Sequence, residues 1–238
     1  MAPNIPIIIK SLFFILILLN IRSFPLAYHV QTLPSIFKII KKRNDDNKEG
    51  KKKDLFHTTE YKSIVLFDDL DSNLHMNNSS YNKLLDYARG QFLAESFANV
   101  LWDRSPSILQ KSVLTIFNLE IPPFSRYSVH TRILTWDPKW CFLVSYFRLH
   151  SNNKITSLGI SRFVFKEQNG KTIKPEEIFE AAGYFKNESE EEKEERENRR
   201  QKGMKIAEGM NSLERLFDED FVGDLNLKNN ITKVPAKL

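Results

Sequence analysis

The chain has 238 residues, 41% of them hydrophobic and 27% charged, with a formal net charge of +5. That length holds one domain of ordinary size plus appendages, and the balance of apolar and charged residues excludes a disordered chain. The positive excess is concentrated between residues 38 and 53 and is opposed by an acidic run at 188–197, so the chain lacks the basic face interleaved with aromatics that marks a nucleic-acid binder. The single cysteine, Cys141, lies in an apolar run and has no partner for an internal disulfide, which fits a reducing compartment or simply a buried thiol.

In chain order, residues 5–21 are apolar except for Lys10 and a few small polar residues. A bilayer span needs about 20 apolar residues, with roughly 17 as the short end, so residues 1–24 read as an uncleaved single-pass membrane anchor. A cleaved signal peptide is the rival, with residues 23–27 a poor version of the small-x-small cleavage site. Arg22, Lys38, Lys41, Lys42 and Arg43 follow the segment. By the positive-inside rule they place the body on the cytosolic side, as on the endoplasmic reticulum or another endomembrane, while Lys10 pulls the other way. Residues 25–58 read as a juxtamembrane stretch and basic linker, with an interfacial helix starting near Pro34-Ser35. The run at 41–53 is either a solvated spacer or a contact for anionic lipid.

The body, residues 59–186, opens on the β-branched and aromatic run 61–67, a predicted strand. Tyr81, Leu84, Leu85, Ala88, Phe92 and Leu93 then recur at helical spacing, which predicts a helix capped by Asn78 or Ser79 and running to about Val100. After the loop at 104–106 come four strand-like runs, 113–121, 127–136, 140–149 and 155–165, divided by Pro-, Asp- and Asn-containing turns. Their close spacing predicts an antiparallel meander. The nearly continuous apolar run 141–147 predicts a central strand covered on both faces. One strand, one long helix and four strands make an α+β plan, a sheet wrapped around a helix. Residues 168–171 read as a turn, and 175–183 as a short helix with Pro at its start and Gly at its end. Residues 187–238 read as a charged helical tail. Its sparse apolar stripe (Met204, Ile206, Ala207, Met210, Leu213, Leu216, Phe217) would dock on the body, and it has too few heptads for a partner-binding coiled coil.

The chemistry gathers at the junction of the first strand and the long helix, where Asp69, Asp71, His75, Asn77 and Asn78 fall within ten residues. A carboxylate beside a helix N-terminus is placed to attack an ester or thioester carbonyl, and the free N–H groups of the first turn can hold the developing oxyanion. Asp71 is the candidate nucleophile or general base, or else it caps a turn. His75 would orient the carbonyl or fix the loop. Asn77 and Asn78 would position water or cap the helix. The backbone around Asn78, Ser79 and Tyr81 supplies the candidate oxyanion donors, and the Tyr81 side chain starts the core stripe.

The pattern Asp-x-Asp-x-x-x-His-x-Asn-Asn-x-x-Tyr, carried here by Asp69, Asp71, His75, Asn77, Asn78 and Tyr81, resembles the hotdog-fold thioesterases of the 4-hydroxybenzoyl-CoA thioesterase type. The stretch 74–78 with Ala88-Arg89 is most similar to the membrane-anchored branch that includes thioesterase superfamily member six and its fungal relatives. The resemblance covers roughly residues 60–185. It implies a hotdog fold, a homodimer paired edge to edge, an acyl-CoA or related acyl thioester as substrate, and catalysis by the acid at Asp71 rather than Asp69. It departs at Leu74, where soluble members carry Gly. The expected function is a membrane-anchored acyl-CoA thioesterase-like hydrolase; the alternative is a non-catalytic hotdog protein that binds an acyl group or a partner at a membrane. No cofactor or metal is expected. Asp69, Asp71 and Asn73 match the first three ligands of an EF-hand, but Leu74 replaces the turn Gly and Ser80 the bidentate Glu.

Overall fold

The computed structural model describes residues 5–45 and 54–215. The last part of the basic run, 46–53, and the tail from 216 onward, with Leu216 and Phe217, lie outside the described residues. The body is a hotdog fold. Its strands are β1 (Thr59–Ile64), β2 (Ser107–Phe117), β3 (Arg126–Trp136), β4 (Cys141–Leu149), β5 (Ile155–Lys166) and the short β6 (Thr172–Ile173). All pairs are antiparallel, in the order β1-β3-β4-β5-β2, with β6 also on β5.

This order corrects the expected meander. β3, β4 and β5 do form successive hairpins, but β2 pairs with β5, from Ser107 opposite Lys166 to Phe117 opposite Ser157. The cause is the helix between β1 and β2, α3 (Asn78–Asp103). Its 26 residues are roughly 39 Å long, enough to carry the chain past the β1 edge and release it at the opposite one. β2 also begins six residues before the predicted run. Ser107 to Lys111 are mixed in character, and an edge strand that is largely exposed does not need an apolar sequence. Residues 118–121 leave the sheet, with Asn118 and Leu119 both donating to the Thr156 carbonyl.

Leu84, Leu85, Ala88 and Phe92 of α3 are fully buried against the inner sheet face, where Val129, Ile133, Leu143 and Phe147 point. The outer face carries Leu134, Phe142, Val144 and Ile160, and it is covered by α5 (Glu190–Arg215) through Met204, Ala207 and Met210. β4 is therefore apolar on both sides, as its sequence suggests. A bulge between Ile133 and Thr135 in β3 turns Leu134 and Thr135 together toward α5. There Thr135 Oγ1 donates to the Arg200 carbonyl at 2.7 Å. A Cβ at Gly203 would lie 2.2 Å from the Leu134 oxygen, so the close crossing requires glycine. The short helix α4 (Pro175–Ala181) starts on Pro175 and ends before Gly183 at φ +89°, as predicted.

At the N-terminus, α1 (Ile5–Leu19) has 15 residues, a length of roughly 22 Å against about 30 Å of bilayer hydrocarbon. Among the described residues no helix is long and apolar enough to cross a membrane. The expected single-pass anchor, and the cytosol-facing endomembrane placement argued from it, are therefore corrected. The apolar run fails to continue as helix because Asn20 turns back, its side-chain amide donating to the Leu16 carbonyl at 2.9 Å. Beyond it, the Arg22 N–H donates to Asp68 Oδ2 at 2.6 Å, tying the segment to the body. A second helix, α2 (Ala27–Asp45), carries Pro34 inside it rather than starting there. It meets α3 through the Tyr28 and Tyr87 rings, 5.4 Å apart, and through Lys38 Nζ and Glu95 Oε1 at 2.5 Å.

Candidate active site

Between β1 and α3 the chain makes a miniature hairpin closed by the Leu70–Met76 bridge. The Asp71 N–H donates to the His75 carbonyl at 2.9 Å and the Asn77 N–H to the Asp69 carbonyl at 2.8 Å. Inside this loop Asp71 Oδ1 accepts from the Asn73 N–H (2.9 Å) and the His75 N–H (3.2 Å). One carboxylate oxygen thus holds the turn, and among the described residues the other has no protein donor. Leu74 sits at the loop's tight corner with φ +59°, a left-handed conformation that glycine adopts freely and leucine does not. The departure at Leu74 therefore leaves the backbone in the geometry that Gly would take.

Helix α3 is capped by Asn77, not by Asn78 or Ser79. Asn77 Oδ1 accepts from the Ser79 N–H at 2.8 Å and the Ser79 hydroxyl at 2.7 Å. A cap must precede the helix in extended geometry, and Asn77 does so at φ −62°, ψ 140°. The cap consumes donors that the sequence offered to an oxyanion. The Ser79 N–H is taken, and those of Ser80 and Tyr81 bond the Asn77 carbonyl. Only the Asn78 N–H, the first of the helix, lacks an acceptor among the described residues, and it stands at the positive end of the helix dipole.

The loop and the helix start open into a pocket of about 380 Å³. Asp71, His75, Asn78 and Tyr81 line it, together with Phe117 and Glu120. Asn77 and Ser79 do not line it. Tyr81 is buried, its ring edge-on to Phe117 and Phe147 at 5.0 and 4.9 Å, and burial pushes its hydroxyl up to about 12. It lines the pocket as a neutral group. His75 Nε2 lies 3.2 Å from Glu120 Oε2, a partner about 45 positions away that no local pattern signals.

Asp69 has the opposite environment. It is 1% exposed, its Oδ2 accepts from the Leu66 N–H at 3.0 Å, and it pairs with the Arg22 guanidinium. Its backbone carbonyl also takes the Ser80 hydroxyl at 3.2 Å. Burial raises the Asp69 carboxyl above its ordinary range, while the Leu66 N–H and Arg22 oppose the rise. Asp69 is a buried strut and Asp71 the accessible acid. Sequence reasoning missed Arg22, which it placed in a membrane flank. Among the described residues no group of acids, histidines or cysteines could hold a metal ion.

The family model of the thioesterase-like superfamily matches residues 65–183, half of the chain. The chain is 35% identical over 117 residues to a probable thioesterase of Saccharomyces cerevisiae, covering 48% of this chain and 50% of that protein. It thus spans half the length of that relative. A probable thioesterase of Emericella nidulans is 28% identical over 215 residues, covering 71% of this chain and 69% of the relative. Protein THEM6 of Xenopus laevis is 27% identical over 111 residues, covering 46% and 54%.

Proposed function

We propose that this chain, which belongs to the thioesterase-like superfamily, hydrolyses an acyl thioester such as an acyl-CoA at the Asp71 pocket. The observation that carries the reading is the division of labour at Asp71. Oδ1 is spent on the Asn73 and His75 N–H groups, so the carboxylate is fixed in place, and its second oxygen is left for chemistry in the pocket that Asn78 also lines. That oxygen either takes a proton from a water attacking the carbonyl carbon, or attacks the carbon itself to give a mixed anhydride that water then opens. In both routes the C–S bond breaks, the sulfur leaves as the thiol and the acyl group as the carboxylate. The Asn78 N–H and the helix dipole stabilise the oxyanion between them. His75, held near Glu120, orients the substrate carbonyl or the loop.

The protein is a homodimer in this reading. The outer edge of β2 is unpaired among the described residues and carries part-exposed Leu109, Val113, Ile116 and Phe117. An open edge strand of 11 residues with these apolar side chains invites pairing with a second copy. Phe117, at its end, belongs to the Asp71 pocket, so the pairing would close the site from one side.

The test is turnover of a panel of acyl-CoA thioesters by the full chain and by Asp71→Asn. Asn keeps an oxygen for the two turn N–H groups but is neither base nor nucleophile. Turnover is expected to fall by about 10²–10⁴-fold in a folded variant. A second reading has its own support, since Asp71 is already used as a turn acceptor: a hotdog protein that binds acyl thioesters without cleaving them. Binding without turnover by the wild-type chain would establish it, and full activity in Asp71→Asn would remove Asp71 from the mechanism.

A further inference from the structure

A second cavity, of about 990 Å³, lies between the α1–α2 segment and the β1 side of the sheet. It shares no lining residue with the Asp71 pocket. Ile17, Ile21, Phe24 and Val30 form one wall, and Ile64 and Leu66 belong to the other. Its size is at the upper end of the range of about 300–1,000 Å³ for pockets that hold one organic ligand. Walls of this kind favour a hydrocarbon chain, because each methylene removed from water adds to binding.

The charged lining has one sign. Lys62, Arg126 and His150 line the groove, and no described carboxylate does. Arg22 also borders it, but its guanidinium is committed to Asp69 and Ser63. Lys62 is 3.3 Å from Glu60, and His150 Nε2 is 3.0 Å from Ser128 Oγ. Arg126 differs from these: it is exposed and has no ion-pair partner among the described residues. The His150 N–H donates to the Arg126 carbonyl at 3.0 Å, so the two residues stand side by side where β3 begins and β4 ends. A planar guanidinium with free donors matches a carboxylate in a two-pronged contact.

We infer that this groove binds a long-chain fatty acid, with its chain between the α1–α2 segment and β1 and its carboxylate on Arg126. The site is separate from the Asp71 pocket and does not depend on thioester cleavage.

The experiment is displacement of a fluorescent fatty acid from the full chain by palmitate, run beside the alcohol of the same length and a lysophospholipid. Palmitate is expected to bind one per chain and more tightly than the alcohol. Arg126→Glu is expected to weaken palmitate at least tenfold while leaving the alcohol unchanged. Val30→Trp, at an exposed wall position, is expected to abolish binding without altering the thermal melt, and Asn118→Trp, at a residue that lines the Asp71 pocket, to leave it intact. Absence of saturable palmitate binding would overturn the inference, as would equal binding by Arg126→Glu. Loss in Asn118→Trp with retention in Val30→Trp would place the acid in the Asp71 pocket. Preference for the lysophospholipid over palmitate would reject the carboxylate.

Discussion

Replacing Arg22 with Met removes the only side-chain cation paired with Asp69 among the described residues and keeps most of the apolar stem. The carboxyl of Asp69 is 2% exposed and the Arg22 side chain 13%. Without Arg22, Asp69 retains the Leu66 N–H as a donor and only the weaker opposing charge of Lys83. Deleting one partner of a buried ion pair costs about 3–5 kcal/mol, and the partial exposure of Arg22 puts this pair near the low end, about 3 kcal/mol. At about 2–4 °C per kcal/mol for a chain of this size, Tm falls by roughly 6–12 °C. The loss depends on pH. Burial already raises the Asp69 carboxyl in the folded protein, and removing Arg22 raises it further. A raised folded-state acid holds its proton where the unfolded chain, at about 3.9, has lost it. Stability is therefore best below the unfolded value and declines as pH rises through the folded one. Urea unfolding of Arg22→Met, followed by tryptophan fluorescence, is expected to show a larger deficit at pH 7.5 than at pH 4.5. Asp69→Asn in the same background removes the charge and recovers most of it. A deficit below about 1 kcal/mol, no change with pH, or no rescue by Asn would refute the argument that Asp69 is a buried, charge-compensated strut.

Leu74 lies in the left-handed region and is 64% exposed. That conformation costs a non-glycine residue about 1–2 kcal/mol, against about 0.5–1 kcal/mol of extra chain entropy that glycine loses on folding. Leu74→Gly is therefore expected to raise the urea midpoint by the equivalent of about 0.5–1 kcal/mol, and a lower midpoint would mean that the leucine side chain makes contacts the loop needs. Light scattering of the 27.9 kDa chain is expected to give twice that mass. Val113→Lys, on the open edge of β2, is expected to return it to one chain's mass; an unchanged dimer would move the interface elsewhere.

The junction motif was legible as a structural unit because the bonds that shape it are local. Asp71, His75 and Asn78 reach one pocket through a loop closed by bonds among residues 69–77, and such bonds depend on spacing along the chain. For the same reason the hairpins β3–β4–β5 fall within a residue or two of their predicted bounds, since turn residues and alternating apolar positions repeat over a few residues. The exact cap was less legible. Asn77, Asn78 and Ser79 can all cap, and only the backbone angles at Asn77 decide which of them does.

Length, turn chemistry and periodicity determined that this is an α+β chain with one long buried helix, and residue types at one junction marked the loop that carries Asp71. Tertiary structure alone decided that β2 joins β5 rather than β3, because that follows from where a 26-residue helix releases the chain. It alone decided that Glu120 faces His75 and that Arg22 neutralises Asp69. It also decided that the chain after α1 is bonded to the body, through the Arg22 N–H and Asp68. Each of these joins residues more than 40 positions apart, or depends on such a contact. Periodicity decays over a few turns of chain, so contacts of that range are fixed only by packing and charge compensation in the folded protein.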